Sequence, residues 1–286
     1  MPELAIAPEQ TNSQQAGGRW FKRFTPAQRY LHAALFTSFL GLAATGLPLR
    51  FSESIWARHM AAAVGGFGAI LFVHKFCALV LTGAFLIHVK DLVTRAFVRR
   101  EKGIFWGPTS MVANFKDVKD LYAHMRYFVG LGPKPEFERY AYWEKFDYWA
   151  VFWGMMVIGF SGYAMWFAPL FAHFLPGWAL NAVLVIHSEE GLLAILFIFS
   201  IHFVNTHLRP GSFPMDMVIF TGVESEEELK HKRPQEWERM LKEGVVESRT
   251  GEKPQRWQLN FARVIGFTAV GIGLLLLVLT LTAYFG

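Results

Sequence analysis

The sequence predicts an all-α, polytopic membrane protein: a four-helix bundle followed by a fifth transmembrane helix. Three observations carry this. Charged residues make up only 18% of the 286 positions and hydrophobic residues 53%, where a soluble domain carries about 25% charged residues. Five apolar segments reach the roughly 20 residues that a helix needs to cross a bilayer. The lysines and arginines gather in alternate connections between those segments, as expected of a chain that crosses repeatedly.

Residues 1–27 read as an N-terminal tail, of which 1–18 is polar, rich in small residues and without the apolar core of a signal peptide. Residues 28–222 hold the four-helix domain, with spans at about 29–49, 64–90, 146–168 and 179–207. Pro48, Pro169 and Pro210 sit at span ends, where proline normally stops a helix. Residues 223–260 form a charged amphipathic segment, in which 224–247 predicts short helices on the membrane surface. Residues 261–286 form the C-terminal transmembrane helix.

The connection 90–145 carries eleven Lys or Arg and the connection 209–263 carries ten. The first and second spans are joined through two, Arg50 and Arg58, and the third and fourth through none. The N-terminus and both basic connections are therefore expected in the cytoplasm, and the C-terminus in the periplasm.

Cys77 is the only cysteine. It excludes an intramolecular disulfide, a CxxC zinc site and a four-cysteine iron–sulfur cluster. The C-x-x-C-H attachment of a c-type haem is absent as well. Histidines are the notable feature of the spans. His74 and His88 lie fourteen residues apart on the second span, and His187 and His202 fifteen apart on the fourth. At about 100° and 1.5 Å per residue, each pair lies on roughly one face, about 21–23 Å apart along the axis. The two spans run in the same direction, so His74 and His187 share an outer level and His88 and His202 an inner one.

Imidazoles from two helices at one level are what a bis-histidine haem b requires. Two such levels predict two haems and a four-helix haem-binding bundle. His32, about one turn inside the first span, competes with His88 as the partner of His202. His207 is five residues beyond His202, about 140° round an α-helix, and so faces elsewhere; it becomes a ligand only if a third haem is present. His59, His124, His173 and His231 lie in loops and take no site.

Ionisable residues inside spans are costly and usually functional. Glu189 and Glu190 follow His187, and two adjacent carboxylates at that depth point to proton transfer or a buried pairing. Glu190 projects towards the His187 face and Glu189 nearly the opposite way. Lys75 is placed either to pair with a haem propionate or to snorkel to the surface. Gly83 and Gly191 either open room for a porphyrin edge or serve ordinary helix packing, for which glycine is common in membranes. The GGFG stretch at 65–68 follows no strand and lacks the Lys-Ser/Thr ending of a phosphate loop.

Several stretches carry a family resemblance: RFTPAQRYLH (23–32), LAATGLPL (42–49), LFVHKF (71–76), GIFW (103–106), SGYAMWFAP (161–169), VIHS (185–188) and HFVNTHLRPGSFPMD (202–216). Over about residues 20–222 the chain resembles the cytochrome b (gamma) subunit of membrane-bound formate dehydrogenases, a family related to the cytochrome b of nickel–iron hydrogenases. The resemblance implies that His74 and His187 ligate an outer haem and His32 and His202 an inner one, with a quinone or menaquinone site beside the latter. The chain departs from the family in carrying His88, in a span-four histidine separation one residue longer, and in its fifth span. The 202–216 stretch is also similar to cytochromes b found with periplasmic multihaem cytochromes.

The expected function is electron transfer between quinone and a redox partner. That partner would be a multihaem cytochrome c or an iron–sulfur/dehydrogenase subunit, at a bacterial cytoplasmic membrane. Membrane lipid is the other expected partner; no nucleic acid is. The alternative is a proton-coupled transporter or channel using the buried His and Glu. Inverted repeats would favour it, and the sequence has none.

Overall fold

The computed structural model describes residues 18–209, 212–213 and 215–285. The expected tail at 1–18 lies almost wholly outside the described residues, as does Pro210. A short strand β1 (Trp20–Lys22) leads into α1 (Pro26–Arg50), α2 (Ile55–Val64) and α3 (Phe67–Val93), which ends in a π-turn at Thr94–Val98. Next come α4 (Phe115–Phe128), α5 (Tyr142–Trp166), the single turn α6 (Ala168–Phe171) and α7 (Gly177–Phe197). α7 continues through two π-helical stretches, Ile198–His202 and Val204–Leu208. The chain closes with α8 (Val218–Thr221), β2 (Val223–Ser225), α9 (Glu226–Lys232), α10 (Pro234–Glu243), β3 (Thr250–Gly251) and α11 (Arg256–Phe285).

Five helices, α1, α3, α5, α7 and α11, are long and apolar enough to cross a membrane, and at most 22% of the most apolar stretch of any of them is buried within the protein. Large side chains such as Phe72, Phe76, Val185 and Leu275 are exposed away from the interior of the bundle. Apolar surface of this extent, on helices that satisfy their own backbone hydrogen bonds, belongs in lipid. The chain is a multi-pass helical membrane protein.

α1 packs along α3 and α5 along α7, and contacts of α1 with α7 and of α3 with α5 close a ring. Lipid tails are as apolar as the helices, so close packing, not apolar burial, holds such a ring. Its tightest part comprises Ala43 and Leu47 of α1, Leu192, Ile195, Phe199 and Phe203 of the α7 run, and Leu276 of α11. α11 lies outside the ring against α1 and the first π stretch. Gly273 lets it approach, since a Cβ there would stand 2.7 Å from the Phe199 ring. α1 is started by Thr25, whose side chain accepts from the backbone of Gln28 while the Gln28 side chain returns the bond, with Pro26 at the first helical position. It runs through Pro48 to Arg50, a proline that terminal turns of membrane helices tolerate.

The all-α expectation misses one feature. β1 pairs antiparallel with both β2 and β3, with Phe21 opposite Glu224 and Thr250. Strands of two or three residues carry no periodicity, and this pairing joins segments some 200 residues apart. The short helices expected within 224–247 are present as α9 and α10, and with β1 they enclose a small core of Phe21, Leu229, Met240 and Val246. We call this end of the bundle the sheet side and the other the far side.

A buried ionic network joins the sheet to the bundle. Glu236 accepts from Arg23 (3.1 Å) and Arg139 (2.8 Å). Arg233 bonds Glu224 (2.7 Å) and Glu144 of the first turn of α5 (3.3 Å). Three arginines meet three glutamates, so the cluster is neutral, as buried charge must be to persist.

Candidate functional site

The four helices of the ring, with α8 and part of α11, line a cavity of about 1360 Å³, larger than the roughly 300–1,000 Å³ of most small-molecule sites. It runs between the far side and the sheet side. Five histidines line it: His74 and His187 towards the far side, and His32, His202 and His207 towards the sheet side.

His74 and His187 face one another across the cavity with ring centroids 6.3 Å apart and planes at 75°. The Nδ1 atom of each is already engaged. His187 Nδ1 is 3.0 Å from the carbonyl oxygen of Ile158. A carbonyl only accepts, so Nδ1 carries the proton and Nε2 a lone pair. His74 Nδ1 is 2.9 Å from Thr45 Oγ1. The Thr45 hydroxyl donates to the Gly41 carbonyl (2.6 Å), so it accepts from His74, with the same result. An imidazole held through Nδ1–H with Nε2 left free is the arrangement of a metal-ligating histidine. Two metal–nitrogen bonds of about 2 Å each, with roughly 1 Å from each nitrogen to its ring centre, place two ligating rings roughly 6 Å apart.

Two glycines make this pair possible. A Cβ on Gly162 of α5 would lie 2.9 Å from His187 Cε1, and one on Gly46 of α1 would lie 3.2 Å from His74 Cε1. Neither was singled out in the sequence, although each sits in a stretch that carries the family resemblance. Around Gly83 and Gly191, the glycines expected to open such room, no described atom beyond their own stretch of helix lies within 4 Å of where a Cβ would stand.

At the sheet side His202 Nδ1 is 3.1 Å from Asp147 Oδ2, which again fixes the proton on Nδ1 and frees Nε2. His207 shares the cavity with His202, against the expectation that it faces elsewhere. The α-helical offset of about 140° assumed there does not apply. The chain is π-helical through 198–202 and 204–208, and i→i+5 bonding brings residues five apart towards one face. His88 does not line the cavity; its Nε2 is 2.9 Å from the Tyr148 hydroxyl. Two buried atoms at this end, Asp147 Oδ1 and His207 Nδ1, lack a hydrogen-bond partner among the described residues. A buried unsatisfied group costs about 1–3 kcal/mol, so both mark room for a polar group of a ligand.

Basic side chains stand at both ends of the cavity, Arg50 and Lys75 on the far side and Arg209, Lys232 and Arg233 on the sheet side. Lys75 lies 5.0 Å from the centre of the Trp166 ring. The two adjacent glutamates separate: Glu190 lines the cavity, whereas Glu189 is exposed and 2.9 Å from Arg50, which also bonds Ser188 and Tyr284. Among the described residues no group of three or more His, Cys, Asp or Glu converges as a bare metal ion would need. No protein-family model matches the chain, and no curated protein matches it.

Proposed function

We propose that the chain is a di-haem b-type cytochrome of the membrane that carries electrons between a quinone and a redox partner protein. The observation that carries the reading is the His74–His187 pair across the cavity. The rings stand 6.3 Å apart, each Nδ1 is bonded to the protein, and neither Nε2 has a hydrogen-bond partner among the described residues. Haem, when bound, supplies one-electron chemistry at iron.

The residues divide the remaining work. His74 and His187 are the far-side ligands. His202 is a sheet-side ligand, with His32 of α1 as its partner. His207 shares a helix with His202, and two rings from adjacent turns of one helix do not reach opposite faces of one porphyrin. Arg50 and Lys75 at one end, and Arg209, Lys232 and Arg233 at the other, are placed for propionate carboxylates. Gly46 and Gly162 hold the far-side rings in place by leaving space for them. The apolar lining excludes water. Glu190 is the side chain assigned to accept a proton from quinol, while Glu189 ties α7 to α1 through Arg50.

The basic connections favour the sheet side as the cytoplasmic one. The resemblance to formate dehydrogenase cytochrome b subunits and the stretch at 202–216 favour a multihaem cytochrome c or an iron–sulfur/dehydrogenase subunit as the partner. Quinone or menaquinone is the mobile substrate.

The test is a visible spectrum of the purified chain with acid-acetone extraction and a haem count. The expected result is two extractable b-type haems, one lost in His74→Ala or His187→Ala and the other in His32→Ala or His202→Ala. His88→Ala should lose neither. A chain purified in full-length, folded form without haem, or with haem retained on the polypeptide after extraction, overturns the reading.

A further inference from the structure

The connection between α3 and α5 contains a helix whose outward face has no partner among the described residues. α4 begins at Asn114, whose side chain accepts from the backbone of Lys116 and Asp117 while Asp117 bonds back to Asn114. At about 100° per residue, α4 and its cap residue Val129 divide into three arcs.

One arc faces the protein. Asp117 accepts from Lys145 (2.9 Å), and His124 bonds the Tyr142 hydroxyl (3.2 Å) and stacks on Phe128. The second arc holds Phe115, Val118, Tyr122, Met125 and Val129, within about 80° of one another. All five are exposed, from 56% for Met125 to 89% for Phe115. The third arc, beside the second, carries Lys119 and Arg126, both exposed.

The depth of α4 follows from its anchors. Lys145 and Tyr142 lie in the first two turns of the spanning helix α5. The next turn is tied to the same segment, since Trp149 Nε1 donates to the carbonyl of Met111 (3.0 Å). α4 is therefore held at the level where α5 enters the apolar layer. The same connection also exposes Phe97, Phe105 and Trp106, each at least half exposed. An apolar arc flanked by lysine and arginine, at the edge of a spanning bundle, has the make-up of a helix lying in a membrane interface. Basic side chains at that level attract anionic headgroups.

We infer that α4 is an interfacial helix of this protein. Its Phe115–Val118–Tyr122–Met125–Val129 face enters the headgroup and upper acyl region of the sheet-side leaflet, and Lys119 and Arg126 engage the phosphates of anionic phospholipid. This uses no property of the histidine cavity and stands or falls apart from the haem reading.

The test uses the full chain in nanodiscs of phosphatidylcholine with phosphatidylglycerol. In a Cys77→Ser background, spin labels are placed singly through Val118→Cys, Tyr122→Cys, Met125→Cys, Lys119→Cys and Arg126→Cys. Accessibility is read with oxygen, which favours lipid, and with a water-soluble nickel chelate. The expected result is that labels at 118, 122 and 125 favour oxygen and labels at 119 and 126 favour the chelate. Equal access of the chelate to both arcs overturns the inference. Protection of 118, 122 and 125 from both reagents also overturns it, in favour of a protein on that face.

The unsubstituted chain supplies a second measurement that needs no variant. Photoactivatable phosphatidylglycerol should leave adducts on peptides spanning 105–131, more than phosphatidylcholine carrying the same group. Equal labelling by the two lipids removes the anionic-lipid part of the inference, and no labelling of those peptides removes the whole.

Discussion

Gly162 and Gly46 do at the residue scale what no other side chain permits: each lets an imidazole lie against a neighbouring helix backbone. With a Cβ only 2.9 Å from His187, Gly162→Ala must displace the ring, at an overpacking cost of about 1–3 kcal/mol. We expect that variant to lose the far-side haem, measured as pyridine haemochrome per chain, while Gly83→Ala keeps both; equal content in the two variants would contradict the assigned geometry. Asp147 offers a second residue-scale contrast. The far-side rings donate to a carbonyl and a hydroxyl, whereas His202 donates to a carboxylate, which makes it the more electron-rich ligand. Asp147→Asn should raise the midpoint potential of the sheet-side haem by on the order of 40–60 mV, the difference between a charged and a neutral hydrogen bond, and leave the other haem unmoved. Glu190→Gln should keep haem content and slow haem reduction by quinol; a wild-type rate would leave Glu190 a packing residue.

At the element scale the sheet-side cap is held by charge as much as by its small apolar core. Burial alone would raise the Glu236 carboxyl, but Arg23, Arg139 and Arg233 outweigh it and hold the group below the usual carboxylate range. Glu226, on the surface, is brought down to about 2 by its hydrogen bond from Arg19 and then by that from Lys230. A carboxylate whose pKa is lower folded than unfolded stabilises the fold above its unfolded pKa of about 4.3, and that contribution is lost as pH falls through the folded value. The cap should therefore be insensitive to pH from 8 to about 5 and loosen as pH falls from about 4 towards 2. Glu236→Gln removes one partner of a buried pair, which costs about 3–5 kcal/mol. Limited proteolysis within 223–251 should rise in that variant at pH 7 and approach wild-type behaviour at acid pH. A variant as resistant as wild type at pH 7 would show that the cap is held by its apolar core alone.

At the scale of the whole molecule, two basic connections and the cap share one side of the bundle, while the opposite connections are nearly free of Lys and Arg. A reporter active only in the periplasm, fused at Lys119, should be silent, and the same reporter at the end of α11 should be active. The reverse pattern would invert the assignment of sides but leave the cavity and its histidines unchanged, since their pairing depends on the helices and not on the direction of insertion. The fifth helix is bound to the far side through Tyr284 and Arg50 (3.0 Å) and frames the ring without lending a histidine to it.

The sequence by itself determined the five spans, because an apolar run of sufficient length is a local property that lipid reads directly. It also determined the levels of His74, His187 and His202, because rise per residue converts spacing into depth. The face reached by Glu190 followed from helical periodicity in the same way. Only the tertiary structure decided which histidines share a cavity. His88 was indistinguishable from His32 by depth, and the rotation of α3 that turns it to Tyr148 is set by packing against neighbouring helices. His207 returned to the cavity because the end of α7 is wound as a π-helix, a choice that no residue pattern announced. The strands of two or three residues, the arginine–glutamate network and the two glycines under the imidazoles all join segments far apart in the chain. Such contacts are fixed by how helices meet, and helix periodicity carries no information about the partner on the other side.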